Sequence, residues 1–362
     1  MFRSTILALA IGIVSSLPGQ AQTLEQMAGQ MIVVGFQGDD AGDKSVKAVT
    51  ADIAAGMVGG VMYLKPNIKS LAAVEAMNEA FRAASPDLPP FITLDQEGGA
   101  VERLTKAVGF EEVPNAATVA KTYTSAEAQK LYGEMARGIA ELGFSVNFGP
   151  VADLDVNPKN QAITKFGRSF GRSGETVAAY DEAFIAAHHA AGLVTSLKHF
   201  PGHGSSTADS HEGFVDISDS WSKTELEPYR IMFADGYADM VMVGHLYHSA
   251  YAGEGSKLPA SLSSEWITGL LRGDLGFEGV VISDDLEMGA IRKLYDLEET
   301  IVRAVNAGTD VLLFSNTAKP STNLAAQIRD ILVAEAESDP AFRARIEASY
   351  ARIVALKARI GG

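Results

Sequence analysis

The chain has 362 residues, 47% apolar and 21% charged, the profile of a folded globular protein. Its formal charge of −15, without any Lys/Arg run, excludes the basic stripe that a phosphate backbone requires, so no nucleic-acid partner is expected. There are no cysteines, which removes disulfides, thiolate metal sites and a cysteine nucleophile together.

Met1-Phe2-Arg3 carries one positive charge, Ile6 to Val14 is apolar and broken only by Gly12, and Gly19-Gln20-Ala21 supplies small residues for cleavage. This layout predicts a signal peptide over 1–21, a mature domain over 22–362, and a periplasmic or secreted location, with a cytoplasmic chain as the alternative. No Cys follows the site and no later stretch reaches ~18 uncharged apolar residues, so neither a lipid anchor nor a membrane helix is expected.

Eight apolar, β-branched runs follow: Met31–Phe36, Gly60–Leu64, Phe91–Leu94, Ser145–Phe148, Leu193–Leu197, Met240–Gly244, Gly279–Ser283 and Asp310–Phe314. Helical patterns lie between them. Ala126–Leu142 repeats apolar residues at helical spacing, Glu175–Ala191 is Ala-rich until Gly192 stops it, and Pro340–Ile360 puts Phe342, Ile346, Tyr350 and Ile353 on one stripe. Strand–helix alternation predicts parallel pairing, and eight strands close a ring. The expected fold is a single (β/α)8 barrel, irregular strands allowed. A doubly wound open sheet is the alternative, but it wants a Gly-x-Gly-x-x-Gly after the first strand and none stands there.

Polar residues crowd the carboxyl ends of these runs, which in a barrel share one mouth. Leu94 leads to Asp95-Gln96-Glu97-Gly98-Gly99, Phe148 to Pro150, Asp153 and Asp155, Gly244 to His245, and Ser283 to Asp284-Asp285. The densest cluster follows the fifth run: Lys198-His199-Phe200-Pro201-Gly202-His203-Gly204, then Asp209-Ser210-His211, in a bent loop. Asp284 should point into the mouth as a nucleophile, while Asp285 turns to cap the amides of Glu287 or Met288; two helix caps are the structural alternative. Glycoside cleavage commonly uses two carboxyl groups, and no second acid stands at a matching position unless Asp95, Asp153 or Asp155 serves. His211 is the better proton donor, with Asp209 two residues earlier to hold its ring. Asp95, Arg103, Arg168, Lys198 and His199 form a set suited to sugar hydroxyls. His188 and His189, in mid-helix, read as packing or surface residues, and His248 as a loop residue.

Six motifs then stand in register: Asp95–Gly99, Asn147–Asp153, Gly167-Arg168-Ser169-Phe170-Gly171, Lys198–Gly204, Asp209–His211 and Ser283-Asp284-Asp285-Leu286-Glu287-Met288. Their order resembles family 3 glycoside hydrolases and, more narrowly, the single-domain β-N-acetylhexosaminidases that release N-acetylglucosamine from muropeptides. The similarity covers about Leu24 to Gly362. It implies a retaining mechanism with Asp284 as nucleophile and His211 with Asp209 as acid/base dyad. It also implies that Asp95, Arg103, Arg168, Lys198 and His199 hold the sugar ring, that no cofactor or metal is used, and that strained or cis peptides occur at Lys198-His199 and Phe200-Pro201. The implied substrates are N-acetylglucosaminides of muropeptides or chitooligosaccharides, handled by a monomer. Ala100 stands where close relatives often carry arginine.

Three other readings are open. A β-glucosidase of the same family would take its acid from a second domain. A metal-dependent amidohydrolase would use His199, His203, His211 and His245, but it normally wants a His-x-His where Gly35-Phe36 stands. A sugar-binding protein without activity would have no use for a nucleophile and dyad.

Overall fold

The computed structural model describes residues 22–253 and 256–360; the expected leader, 1–21, lies outside them. Eight parallel strands form one sheet: β1 (Ile32–Gly35), β2 (Gly60–Met62), β3 (Phe91–Leu94), β4 (Val146–Asn147), β5 (Val194–Phe200), β6 (Met240–Val243), β7 (Val280–Ser283) and β8 (Leu312–Phe314). Neighbours pair in chain order from β1 to β7, and β8 pairs with β1 through Ile32–Leu312, Val33–Leu313 and Val34–Phe314. A single parallel bridge, Ile282–Val311, closes the ring between β7 and β8. All eight expected strands are present, and their order is that of a (β/α)8 barrel.

Every residue of these strands is buried, which is why they read as continuous apolar runs instead of alternating ones. The helices are set by local chemistry. Thr124 and Glu127 form a capping box at the start of Ser125–Glu141, and Ser173 caps Gly174–Ala190. Gly192, at φ +76°, turns the chain out of that second helix and into β5. Phe342, Ile346 and Ile353 of the closing helix, Pro340–Lys357, are fully buried, each contributing about 2–3 kcal/mol by the area removed from water. Among the described residues no helix is long and apolar enough to cross a membrane.

One boundary differs. β5 does not stop at Leu197 but runs on through Lys198, His199 and Phe200. The parallel pairing with β6 continues past Leu197–Val241 to Lys198–Met242, then slips one residue to Phe200–Val243. The peptides Lys198–His199, Phe200–Pro201 and Gly149–Pro150 are cis. The slip lets the strand deliver both Lys198 and His199 to the mouth instead of sending one to the outer face.

Candidate active site

The carboxyl ends of the strands surround a cavity of about 370 Å³ whose lining includes Asp95, Glu97, Arg103, Arg168, Lys198, His199, His211 and Asp284. All five residues expected to bind sugar are therefore together, with the expected nucleophile and proton donor in the same wall. Asp209 stands behind His211.

One side of the cavity is a chain of ion pairs. Lys198 Nζ donates to Asp95 Oδ1 at 2.8 Å and pairs with Glu97 Oε1 at 2.6 Å. Arg103 Nη2 donates to Asp95 Oδ2 at 2.8 Å. Arg168 grips Glu97 through two parallel bonds, Nε to Oε2 and Nη2 to Oε1, both 2.8 Å. Burial alone would favour the neutral acids, but Lys198 and Arg103 hold Asp95 well below the usual carboxylate range. Against the same penalty, Arg168 and Lys198 hold Glu97 at about 2. Burial opposes the charge on Lys198 too, and the two carboxylates more than restore it. Glu97 lies outside the set that the sequence marks for sugar binding. A signal was there: the expected set held three cations and one carboxylate, and buried charges are seldom left so unbalanced.

His199 is oriented from below. Its Nδ1–H donates to Asp153 Oδ2 at 2.7 Å, its backbone N–H reaches Asp153 Oδ1 at 3.3 Å, and the amide of His203 donates to Oδ1 at 2.7 Å. Burial disfavours the Asp153 carboxylate, yet His199 and these donors keep it below its ordinary value. Behind β4, His188 stacks on Phe184 and gives Nδ1–H to the Phe184 carbonyl at 2.8 Å. Its Nε2 therefore accepts from Asn147 Nδ2 at 3.0 Å, and Asn147 fixes the backbone of Gln96 between Asp95 and Glu97. Burial pushes His188 down to about 4, in keeping with that neutral tautomer. Its reading as a packing residue holds, with the addition that it braces the clamp.

Asp284 follows β7, and its amide continues the ladder to Val243 O at 3.0 Å. Its Oδ1 accepts the amide of Asp285 at 2.8 Å; Oδ2 takes no protein hydrogen bond among the described residues. Burial raises the carboxyl, but His245, His199 and His211 outweigh it and leave Asp284 below its ordinary value, hence ionised at neutral pH. Asp285 caps as expected, accepting from the amides of Glu287 at 3.0 Å and Ser315 at 2.9 Å. His211 is 70% exposed at the rim, with Nδ1–H on Asp209 Oδ1 at 2.8 Å and, among the described residues, no partner on Nε2.

Of the alternatives for a second acid, Asp95 and Asp153 are clamped as above, while Asp155 accepts from Thr164 Oγ1 at 2.6 Å and is not among the residues lining the cavity. Nor do the four histidines of the amidohydrolase reading share a centre. His203 is buried against Ser206 and Ser210. His245 has Nδ1 on Ser261 Oγ at 2.7 Å and gives Nε2–H to Asp285 O at 2.9 Å. Among the described residues no group of three or more His, Cys, Asp or Glu is arranged around a metal position. His248 caps a short turn over Ser249–Tyr251 and packs between Trp221 and Tyr251.

The chain resembles proteins of known kind along most of its described length. It is 35% identical over 268 residues to a beta-hexosaminidase of Stenotrophomonas maltophilia, matching 71% of this chain and 76% of that one. It is 29% identical over 327 residues to beta-hexosaminidase A of Pseudoalteromonas piscicida, where it spans 54% of the relative's length. A β-N-acetylhexosaminidase structure from Beutenbergia cavernae superposes with a TM-score of 0.82 at 30% identity, covering 94% of this chain and 100% of that one. A glycoside hydrolase family 3 β-N-acetylglucosaminidase from Paenibacillus does so with 0.84 at 36%, covering 94% and 63%. The model of the glycosyl hydrolase family 3 N-terminal domain matches residues 23–356, and with that barrel and that pocket the chain belongs to glycosyl hydrolase family 3.

Proposed function

We propose that this protein is a retaining β-N-acetylglucosaminidase that removes a terminal N-acetylglucosamine from muropeptides or chitooligosaccharides. The observation that carries the reading is the partner count. Among the described residues Asp284, directly after β7 in the pocket lining, has Oδ2 free of protein hydrogen bonds, whereas its neighbour Asp285 is tied through Oδ1 to two amides; His211, with no partner on Nε2, lines the same pocket.

The clamp of Asp95, Lys198, Arg103 and Arg168 holds the sugar hydroxyls, with His199 beside it. Asp284 Oδ2 attacks the anomeric carbon as the bond to the leaving oxygen breaks, giving a glycosyl ester. Because Nδ1–H stays hydrogen-bonded to Asp209, the proton delivered to the leaving oxygen comes from Nε2–H of the imidazolium. Neutral His211 then takes a proton from water, whose oxygen displaces Asp284 and completes the cycle. The carboxylate of Asp209 stabilises the cation before transfer and keeps the ring turned afterwards. An exported enzyme cleaved after Ala21 would meet its substrates outside the cytoplasm.

Trapping with a 2-acetamido-5-fluoro sugar followed by peptide mapping tests this directly. The label should fall on Asp284, and Asp284→Ala should lose turnover by orders of magnitude; a label on Asp285 or Asp153 sinks the assignment. Comparable kcat/KM on the glucoside and the N-acetylglucosaminide would move the protein to the β-glucosidase reading, because a site that hydrogen-bonds the acetamide discriminates strongly against its loss.

A further inference from the structure

Two loops meet at the rim. The stem of the loop bearing His211 is fixed from inside: Asn160 Nδ2 donates to His203 O at 2.7 Å, Asn157 Nδ2 to Ser206 O at 2.8 Å, and the amide of Gly204 to Glu225 Oε2 at 2.8 Å. The tip leaves that frame and rests on two backbone donors and one lysine side chain from the segment that follows Asp284-Asp285. Gly289 N–H donates to His211 O at 3.3 Å, Ala290 N–H to Ser210 O at 3.2 Å, and Lys293 Nζ to Glu212 O at 2.5 Å. At the centre of this contact residue 289 has no room for a side chain. A Cβ there would lie 2.8 Å from His211 O and 3.0 Å from the carbonyl carbon and oxygen of Glu212, short of ordinary 3.4 Å contact by up to about 0.6 Å. The opposing atoms are all backbone, so rotation of a side chain cannot relieve the clash.

We propose that Gly289 is a positioning residue: its bare Cα seats the Asp209–His211 loop on the segment that follows Asp284-Asp285, and so sets the spacing of proton donor and nucleophile. The inference rests on the role given to His211 above. In a two-step displacement both groups must reach the same glycosidic bond, and a misplacement of ~1 Å costs ~10²-fold. The His211 ring is 70% exposed, and among the described residues its hydrogen bond runs to Asp209 of the same loop.

The test compares Gly289→Ala with Lys293→Met, an exposed change that leaves the core alone. Substrates are an activated 4-nitrophenyl N-acetylglucosaminide and N,N′-diacetylchitobiose, whose leaving group needs a proton. For Gly289→Ala, kcat/KM on the disaccharide should fall roughly 10–100-fold, and on the aryl glycoside less than about 3-fold. Azide, which attacks the glycosyl ester without giving up a proton, should restore aryl turnover. Lys293→Met should shift the ratio the same way, by roughly 2–5-fold for loss of one charged hydrogen bond at the surface. Hydrogen exchange of the 289 and 290 amides should be protected in the parent and fast in Gly289→Ala. An unchanged substrate ratio in both variants, or equal losses on both substrates, overturns the proposal. His211→Ala is the control for the role beneath it: should that variant fail to separate the substrates, the proton-donor reading falls, and exchange at 289 and 290 alone decides the seating, unaltered protection overturning it.

Discussion

Glu97→Gln keeps the shape of the side chain and removes the charge between Lys198 and Arg168. Two buried cations then lose an anionic partner, and Lys198 keeps only Asp95. The magnitude follows from the carboxyl itself: held at about 2 against an ordinary 4.5, its ionised form is stabilised by about 3 kcal/mol in the folded state. Truncating one partner of a buried ion pair typically costs about 3–5 kcal/mol, so the two routes agree. The sign fixes the pH window. Because the folded value is depressed, the contribution is fully present above the unfolded value near 4.5 and is lost as pH falls through about 2. Urea unfolding of parent and variant should therefore differ by about 3 kcal/mol at pH 6–7, with the gap closing from pH 4.5 downward. The KM for the aryl N-acetylglucosaminide should rise as Lys198 and Arg168 lose their shared anchor. A stability gap under about 1 kcal/mol at pH 7, or one that does not change on acidification, would refute the account of Glu97 as the charge that holds the clamp together.

His211→Ala should lower kcat/KM far more for poor leaving groups than for activated aryl glycosides, and Asp209→Asn should act likewise but more mildly; equal losses on both substrates remove His211 from the acid role. Lys357 is buried at the floor of the barrel, with Nζ on Gln30 Oε1 and Gly59 O, both 2.7 Å, and over the Phe91 ring at 4.7 Å; burial pushes it down to about 7 from 10.5. The unfolded chain therefore binds the extra proton between those values, stability should rise by about 2 kcal/mol from pH 7.5 to 9.5, and Lys357→Met should flatten that rise; parallel slopes for parent and variant in urea titrations would contradict it. Glycosidase activity should survive EDTA, and loss restored by zinc would revive the amidohydrolase reading. The mature chain should begin near Gln22, and an intact Met1 on cytosolic protein, read by N-terminal sequencing, would end the export proposal.

The eight strands were legible because a parallel barrel buries both faces of each strand, leaving a short apolar run that polar residues interrupt only at the mouth. That interruption located Asp95, Lys198, His199 and Asp284 without any contact information. Two things stayed hidden, for different reasons. Lys198-His199-Phe200 read as loop because charged residues before Pro201-Gly202 resemble a turn; the strand continues there because pairing with β6 tolerates a one-residue slip, a tertiary property with no local pattern. Glu97 is hard to pick out in the sequence because it sits two residues beyond Asp95 among glycines, where an acid reads as solvated. Its charge is tolerated in the interior because Arg168, 71 residues later, and Lys198, near the end of another strand, fold onto it.

Chemical roles at this rim are separated by how many partners each group already has. Asp95, Glu97 and Asp153 have both oxygens occupied by cations, imidazole or amides, which keeps them ionised and makes them poor proton carriers. His188, His203 and His245 have both ring nitrogens in contact with partners and are held below their ordinary values, so they serve as fixed dipoles near neutral pH. Among the described residues Asp284 keeps one oxygen without a partner in an environment that favours its charge, and His211 keeps Nε2 without a partner on a side chain that is 70% exposed. A nucleophile needs the first combination and a proton shuttle the second. The same residue types recur within a few positions of each other here, and the surrounding hydrogen bonds, more than the side chains themselves, divide structure from chemistry.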